Sequence, residues 1–159
     1  FHLRFVVKSN GQDEQYWSNM LENPSRRAWQ GYAFEQLCLH HLPQIKRGLG
    51  ISGILTEAYA WSCKSFTDTN GTERKGTQID LVIDRRDQII NLCEMKFSSS
   101  LYVIDADYDE RLRSRTETFR SSTKTRKALH TVLITTYGIQ QNKYSNNVQR
   151  ILSLEELFD

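Results

Sequence analysis

Gln78-Ile79-Asp80-Leu81-Val82-Ile83-Asp84-Arg85-Arg86-Asp87-Gln88-Ile89-Ile90-Asn91-Leu92-Cys93-Glu94-Met95-Lys96-Phe97 is the stretch that decides the fold. Two apolar runs flank the short polar segment Arg85-Arg86-Asp87-Gln88, the pattern of an antiparallel hairpin. Side chains alternate along a strand, so Glu94 and Lys96 share one face while Cys93, Met95 and Phe97 take the other. Asp80, near the start of the first strand, is expected beside Glu94, near the end of the second. Two carboxylates and one ammonium then meet.

Upstream, Asn23-Pro24-Ser25 signals a helix start. Trp29, Ala33 and Leu37 recur every four residues, as do Phe34, Cys38 and Leu42, giving a helix with a wide apolar face. Pro43 is expected to end or kink it, with Gly48 and Gly50 closing the region. Residues 54–63 carry the β-formers Ile54, Thr56, Tyr59 and Trp61, and the polar segment 64–77 holds the turn signal Asn70-Gly71.

Downstream, Asp105 is placed to cap a helix running through Leu112 and Phe119. His130–Thr136 reads as a buried strand ended by Gly138, and Val148–Leu152 as a last strand. Ser153 and Glu156 form a capping-box pattern for a short final helix. The order is helix, three strands, helix, strand (αβββαβ), an α/β domain with a mixed sheet flanked by helices. The third and fourth strands, joined through a helix, should be parallel with a right-handed crossover.

The 159 residues suit one domain, and 38% hydrophobic with 25% charged residues is an ordinary globular profile. A net charge of +2 names no partner, so any nucleic-acid surface must come from local clustering. No apolar run approaches membrane-spanning length, so no membrane partner is expected. Cys38, Cys63 and Cys93 form no CxxC pair, and the four histidines lack zinc-ligand spacing. A reducing cytoplasm without a disulfide framework is the expectation. The chain opens at Phe1 without Met, and residues 1–23 read as the remnant of an upstream region or linker, with 24–159 as the domain.

Hard cations such as Mg²⁺ or Mn²⁺ take carboxylate oxygens and water, often from only one or two protein carboxylates. Taken alone, Glu94-Met95-Lys96 reads more readily as a strand-end ion pair. Glu35 adds context: it stands on the first helix with Cys38 and Leu42 three and seven residues on, and a carboxylate on an apolar face needs a partner or a metal. A second cluster is Arg111, Arg113, Arg115, Arg120, Lys124, Arg126 and Lys127, with Glu117 against it. Such cations supply phosphate contacts to nucleic acid or else form a solvated helix face balanced by Asp105, Asp107, Asp109 and Glu110. Trp61, Tyr102, Tyr108 and Phe119 read as core or border aromatics.

The succession Gly31-Tyr32-Ala33-Phe34-Glu35, Gln78-Ile79-Asp80-Leu81-Val82, Cys93-Glu94-Met95-Lys96-Phe97 and Thr131-Val132-Leu133-Ile134-Thr135-Thr136 resembles the PD-(D/E)XK nuclease superfamily. More narrowly, it resembles the C-terminal nuclease-like domain of bacterial and archaeal AAA-type P-loop ATPases, over roughly residues 24–158. The resemblance implies a restriction-endonuclease-like core and metal-dependent hydrolysis of phosphodiester bonds, DNA before RNA. It implies Glu35, Asp80 and Glu94 as ligands of Mg²⁺ or Mn²⁺, Lys96 as the catalytic lysine, and an ATPase domain upstream. Ile79 stands where the family name has proline. A nuclease-fold module that binds nucleic acid, or regulates its ATPase, without cutting is the alternative. Self-association is left open.

Overall fold

The structure, a computed structural model, describes residues 24–158. The expectation for residues 1–23 lies outside them. Helix α1 (Pro24–His40) is followed by α2 (Leu42–Gly48), β1 (Thr56–Cys63), a small hairpin of β2 (Phe66–Thr67) and β3 (Glu73–Arg74), then β4 (Thr77–Arg85) and β5 (Ile89–Lys96). Helix α3 (Ala106–Thr123), β6 (Ala128–Thr135), a 3-10 turn (Ser145–Asn147), β7 (Arg150–Ser153) and α4 (Leu154–Phe158) complete the chain.

β1, β4, β5, β6 and β7 make one sheet in that spatial order. β1–β4 and β4–β5 are antiparallel, whereas β5–β6 and β6–β7 are parallel. This is the α/β architecture with a mixed, helix-flanked sheet expected of a restriction-endonuclease-like core. No described helix is long and apolar enough to cross a membrane.

Helices cover both faces because the central strands are apolar on both faces. On one face Leu81, Ile83, Cys93, Met95, Val132, Ile134 and Leu152 pack with Phe34 and Cys38 of α1, Ile45 of α2 and Leu157 of α4. On the other, Ile79, Val82, Ile90 and Leu92 pack with Phe119 of α3, and Leu133 with Tyr108 and Leu112 of α3.

Strict alternation would put Ile79 with Leu81. It packs with Val82 instead because the ladder to β1 slips: Tyr59 pairs with Val82, but Trp61 pairs with Ile79. Two steps along β1 thus match three along β4, which places a bulge at Asp80-Leu81. Trp61 then meets Phe119 edge-on at 4.9 Å between ring centroids.

Local chemistry sets the ends of the elements. Asp105 Oδ1 accepts from the Tyr108 amide at 2.8 Å and caps α3, while Lys124 closes it in the left-handed region at φ 55°. Glu156 Oε2 accepts from the Ser153 amide at 2.7 Å, one half of the expected capping box. The helix breaks at His41, just ahead of Pro43 as expected, and Pro43 itself lies in the first turn of a new helix, α2, where a missing N–H is tolerated. The 64–77 segment folds as the β2–β3 hairpin. Asp68 Oδ1 accepts from Asn70 and Thr72 amides at 2.9 Å each, and Gly71 takes φ +79°.

Phe119 is 1% exposed and joins α3 to three strands through Trp61, Val82, Ile90 and Leu92. Phe119→Ala is expected to lower unfolding stability by about 4 kcal/mol, read from urea denaturation followed by circular dichroism. A loss below about 1 kcal/mol would mean that α3 does not anchor this face.

Candidate active site

The β4–β5 ladder runs from Asp84–Ile90 to Leu81–Cys93. Beyond that last pair β4 continues beside β1 as far as Thr77, and β5 continues beside β6 as far as Lys96. The two strands therefore part at Asp80 and Glu94. Asp80 stands on the bulge, where a strand can re-aim a side chain that regular pleating would fix. Glu94 and Lys96 project from β5 on the face covered by α3, since Cys93 and Met95 belong to the opposite core.

Glu35 approaches from α1, between buried Phe34 and a half-buried helix face. Burial raises its carboxyl pKa, and the Asp80 charge raises it further; Lys96 acts in the opposite sense and Glu94 adds to the rise. Asp80, Glu94 and Lys96 thus all act electrostatically on Glu35 although the four come from α1, β4 and β5. Glu35 also helps to hold the buried Cys38 thiol up at about 12, after desolvation, so that thiol is no nucleophile at neutral pH.

Glu94 has a partner that the sequence reading assigned elsewhere. It is 4% exposed, and its Oε1 forms an ion pair with Arg115 Nη1 of α3. Arg115 Nε donates to Thr77 Oγ1 at 3.2 Å, so one guanidinium bridges β5 and β4 across their fork. Tyr108 lies alongside. Lys96 Nζ sits 5.7 Å from the centroid of its ring and the Arg111 guanidinium 5.4 Å, both within cation–π range. The Tyr108 hydroxyl is buried without a hydrogen-bond partner. Desolvation, then the Glu94 charge, pushes its pKa upward and keeps it a neutral donor. Neither Tyr108 nor Thr77 was singled out in the sequence for this place.

The basic segment is divided. Arg113 pairs with buried Asp109 at 3.0 Å, Lys127 pairs with Asp84 at 2.5 Å, and Arg120 Nη1 donates to the Lys127 carbonyl at 3.4 Å. Together with Arg115, these are engaged within the protein. Arg111, Lys124 and Arg126 are exposed and, among the described residues, have no carboxylate partner.

Among the described residues no three His, Cys, Asp or Glu side chains form a ready-made metal cage. The donor set still suits a hard cation. Glu35 and Asp80 have no cationic ion-pair partner among the described residues, and their mutual repulsion would be relieved by one. Mg²⁺ often keeps several waters and takes only one or two carboxylates.

No family model matches the chain, and no curated protein matches it. A solved structure with some likeness in shape is the protein of unknown function AF1548, 17% identical with a TM-score of 0.44 over 75% of this chain. This chain spans 64% of that one, and so remote a likeness carries no functional argument.

A carboxyl whose folded pKa lies above its unfolded value binds its proton more tightly in the folded state. Stability is then fully present below the unfolded value, near 4.5 for Glu35, and falls as pH rises through the folded pKa. Glu35→Gln should therefore raise Tm at pH 7 in metal-free buffer, and the gain should vanish in acid. Paired melts at pH 7 and pH 4 check this; a lower Tm at pH 7 would contradict it.

Proposed function

We propose that the domain is a metal-dependent nuclease of the PD-(D/E)XK type, acting on DNA. The observation that carries the proposal is the strand fork, where Asp80 on its bulge, Glu94 and Lys96 on one face of β5, and Glu35 from α1 share one electrostatic environment. Under this reading Asp80, Glu94 and Glu35 would hold Mg²⁺ or Mn²⁺. Such an ion lowers the pKa of a water and offsets charge on the scissile phosphate. Lys96 orients the attacking water and stabilises the charge that develops on the phosphate oxygens. The Tyr108 ring restrains the Lys96 ammonium. Arg111, Lys124 and Arg126 supply phosphate contacts along α3 and its C-terminal turn. The proposed setting is the cytoplasm, with an ATPase domain upstream in the parent chain.

One observation favours a second reading. Arg115 already neutralises Glu94. A nuclease-fold module that binds nucleic acid without cutting is compatible with a site whose central carboxylate is matched by a fixed cation.

Cleavage assays separate the two. Asp80→Ala should abolish Mg²⁺- or Mn²⁺-dependent cleavage and leave the fold intact. Lys96→Ala should lower turnover by about 10²-fold or more while metal affinity persists, because an ammonium is not a ligand. A wild-type protein that binds DNA yet nicks no duplex, branched or single-stranded substrate with either ion supports the non-cutting module. For the binding surface, Lys124→Glu with Arg126→Glu should weaken affinity alike for unrelated sequences and flatten the salt dependence by about 1.8 in the log–log slope. Fluorescence anisotropy from low to moderate salt reads this directly, and an unchanged slope would remove these residues from the DNA surface.

A further inference from the structure

Arg115 stands where its helix calls for an apolar side chain. Tyr108, Leu112 and Phe119 are the buried stripe of α3, and Arg115 falls three residues after Leu112 and four before Phe119, on the same stripe. Only 26% of its side chain is exposed, so a charge placed there gains from an opposite charge inside the protein. It finds Glu94, and Thr77 fixes the other edge of the guanidinium at 3.2 Å. A space of about 10 Å³ lies beside the pair, lined by Leu92, Leu112, Thr116 and Thr131. That is about the least that admits one water, so on this side Arg115 is the charged partner of Glu94 and little room is left for solvent. Asp80 and Glu35, by contrast, have no ion-pair partner among the described residues, although Arg115 also acts on Asp80 and Lys96 on Glu35 from a greater distance.

We propose that Arg115 is the resident counter-cation of Glu94 and sets the affinity of the site for a divalent metal ion, yielding Glu94 as the ion binds. The proposal rests on the nuclease reading to the extent that Glu94 is taken as a ligand. Two cations compete for one buried carboxylate. With Arg115 in place the site is held together without metal. With Arg115 neutralised, Glu94 becomes an uncompensated buried carboxylate that a divalent ion can satisfy.

The test measures Mn²⁺ binding by isothermal titration calorimetry, and Tm with and without Mn²⁺, using the full chain. Arg115→Gln should bind Mn²⁺ at least about tenfold more tightly than wild type. It should melt about 8 °C lower in chelator, because removing one partner strands the other, and should recover with Mn²⁺. Arg115→Lys, which keeps the charge, should stay near wild type in affinity. The double variant Arg115→Gln/Glu94→Gln should recover Tm without metal and gain no affinity. In the wild type, the Arg115 Nε–H resonance should shift as Mg²⁺ saturates the site, and this decides the matter alone if Arg115→Gln does not fold. Equal or weaker Mn²⁺ binding by Arg115→Gln, or an Arg115 resonance unmoved by saturating Mg²⁺, overturns the proposal. If the wild type still binds metal and cuts DNA, the nuclease reading survives that failure. If no variant binds metal, both fall.

Discussion

A buried carboxylate sits at the centre of this molecule, and much of the geometry follows from keeping it matched. Glu94 lies in a central strand at 4% exposure, where an unpaired charge would cost several kcal/mol. Its cation comes from α3, which must therefore be held at a fixed rotation and height over the sheet. Asp105 caps the start of α3, Phe119 locks its far end against Trp61, and the left-handed Lys124 closes it before β6. The parallel β5–β6 crossover thus does more than link two strands: it carries the guanidinium back over the strand that needs it. Thr77, the first residue of β4, fixes the other edge of that guanidinium.

The second constraint is the break in the β4–β5 ladder. Were β4 pleated regularly, Asp80 would be fixed on one face by the same alternation that places its neighbours. The slip against β1 gives β4 one extra residue, so Ile79 and Val82 both reach the α3 face and Leu81 the opposite core. Asp80 is left between them at the point where β4 turns to follow β1 and β5 turns to follow β6. A helix on the other layer, α1, can then bring Glu35 within electrostatic reach of residues on the α3 face. Without a fork, a continuous sheet would separate the two layers.

Much of this was legible in the sequence because the relevant patterns are local. The 79–83 and 89–97 runs gave the hairpin, Glu94 and Lys96 followed from a period of two, and Asp105 and Ser153 marked helix starts. The bulge was not legible, since Ile79-Asp80-Leu81-Val82-Ile83 reads as an unbroken strand and the slip is set by pairing with β1, which sequence spacing does not reveal. The β2–β3 hairpin was reduced to its turn because each strand is only two residues long. Pro43 carried two meanings, stop and first-turn residue, and the chain uses both: α1 ends ahead of it and α2 begins with it in the first turn.

Arg115 is the more instructive omission. Read by composition, it belonged to a run of seven cations and so to a charged surface. Read by period, it belongs to the stripe Tyr108, Leu112, Phe119, and a helical arginine on a buried stripe implies a buried acid within reach. Composition treats all seven cations alike, whereas position separates them. Arg113 and Lys127 serve Asp109 and Asp84, Arg115 serves Glu94, and of the seven Arg111, Lys124 and Arg126 are the exposed ones without a carboxylate partner among the described residues. The same separation bears on chemistry. A phosphate-binding surface needs cations that are not already satisfied, and a metal site needs carboxylates that are not. Along α3 one cation is matched to Glu94, so under the proposed nuclease reading the balance between binding nucleic acid and cutting it turns on whether that single pair can open.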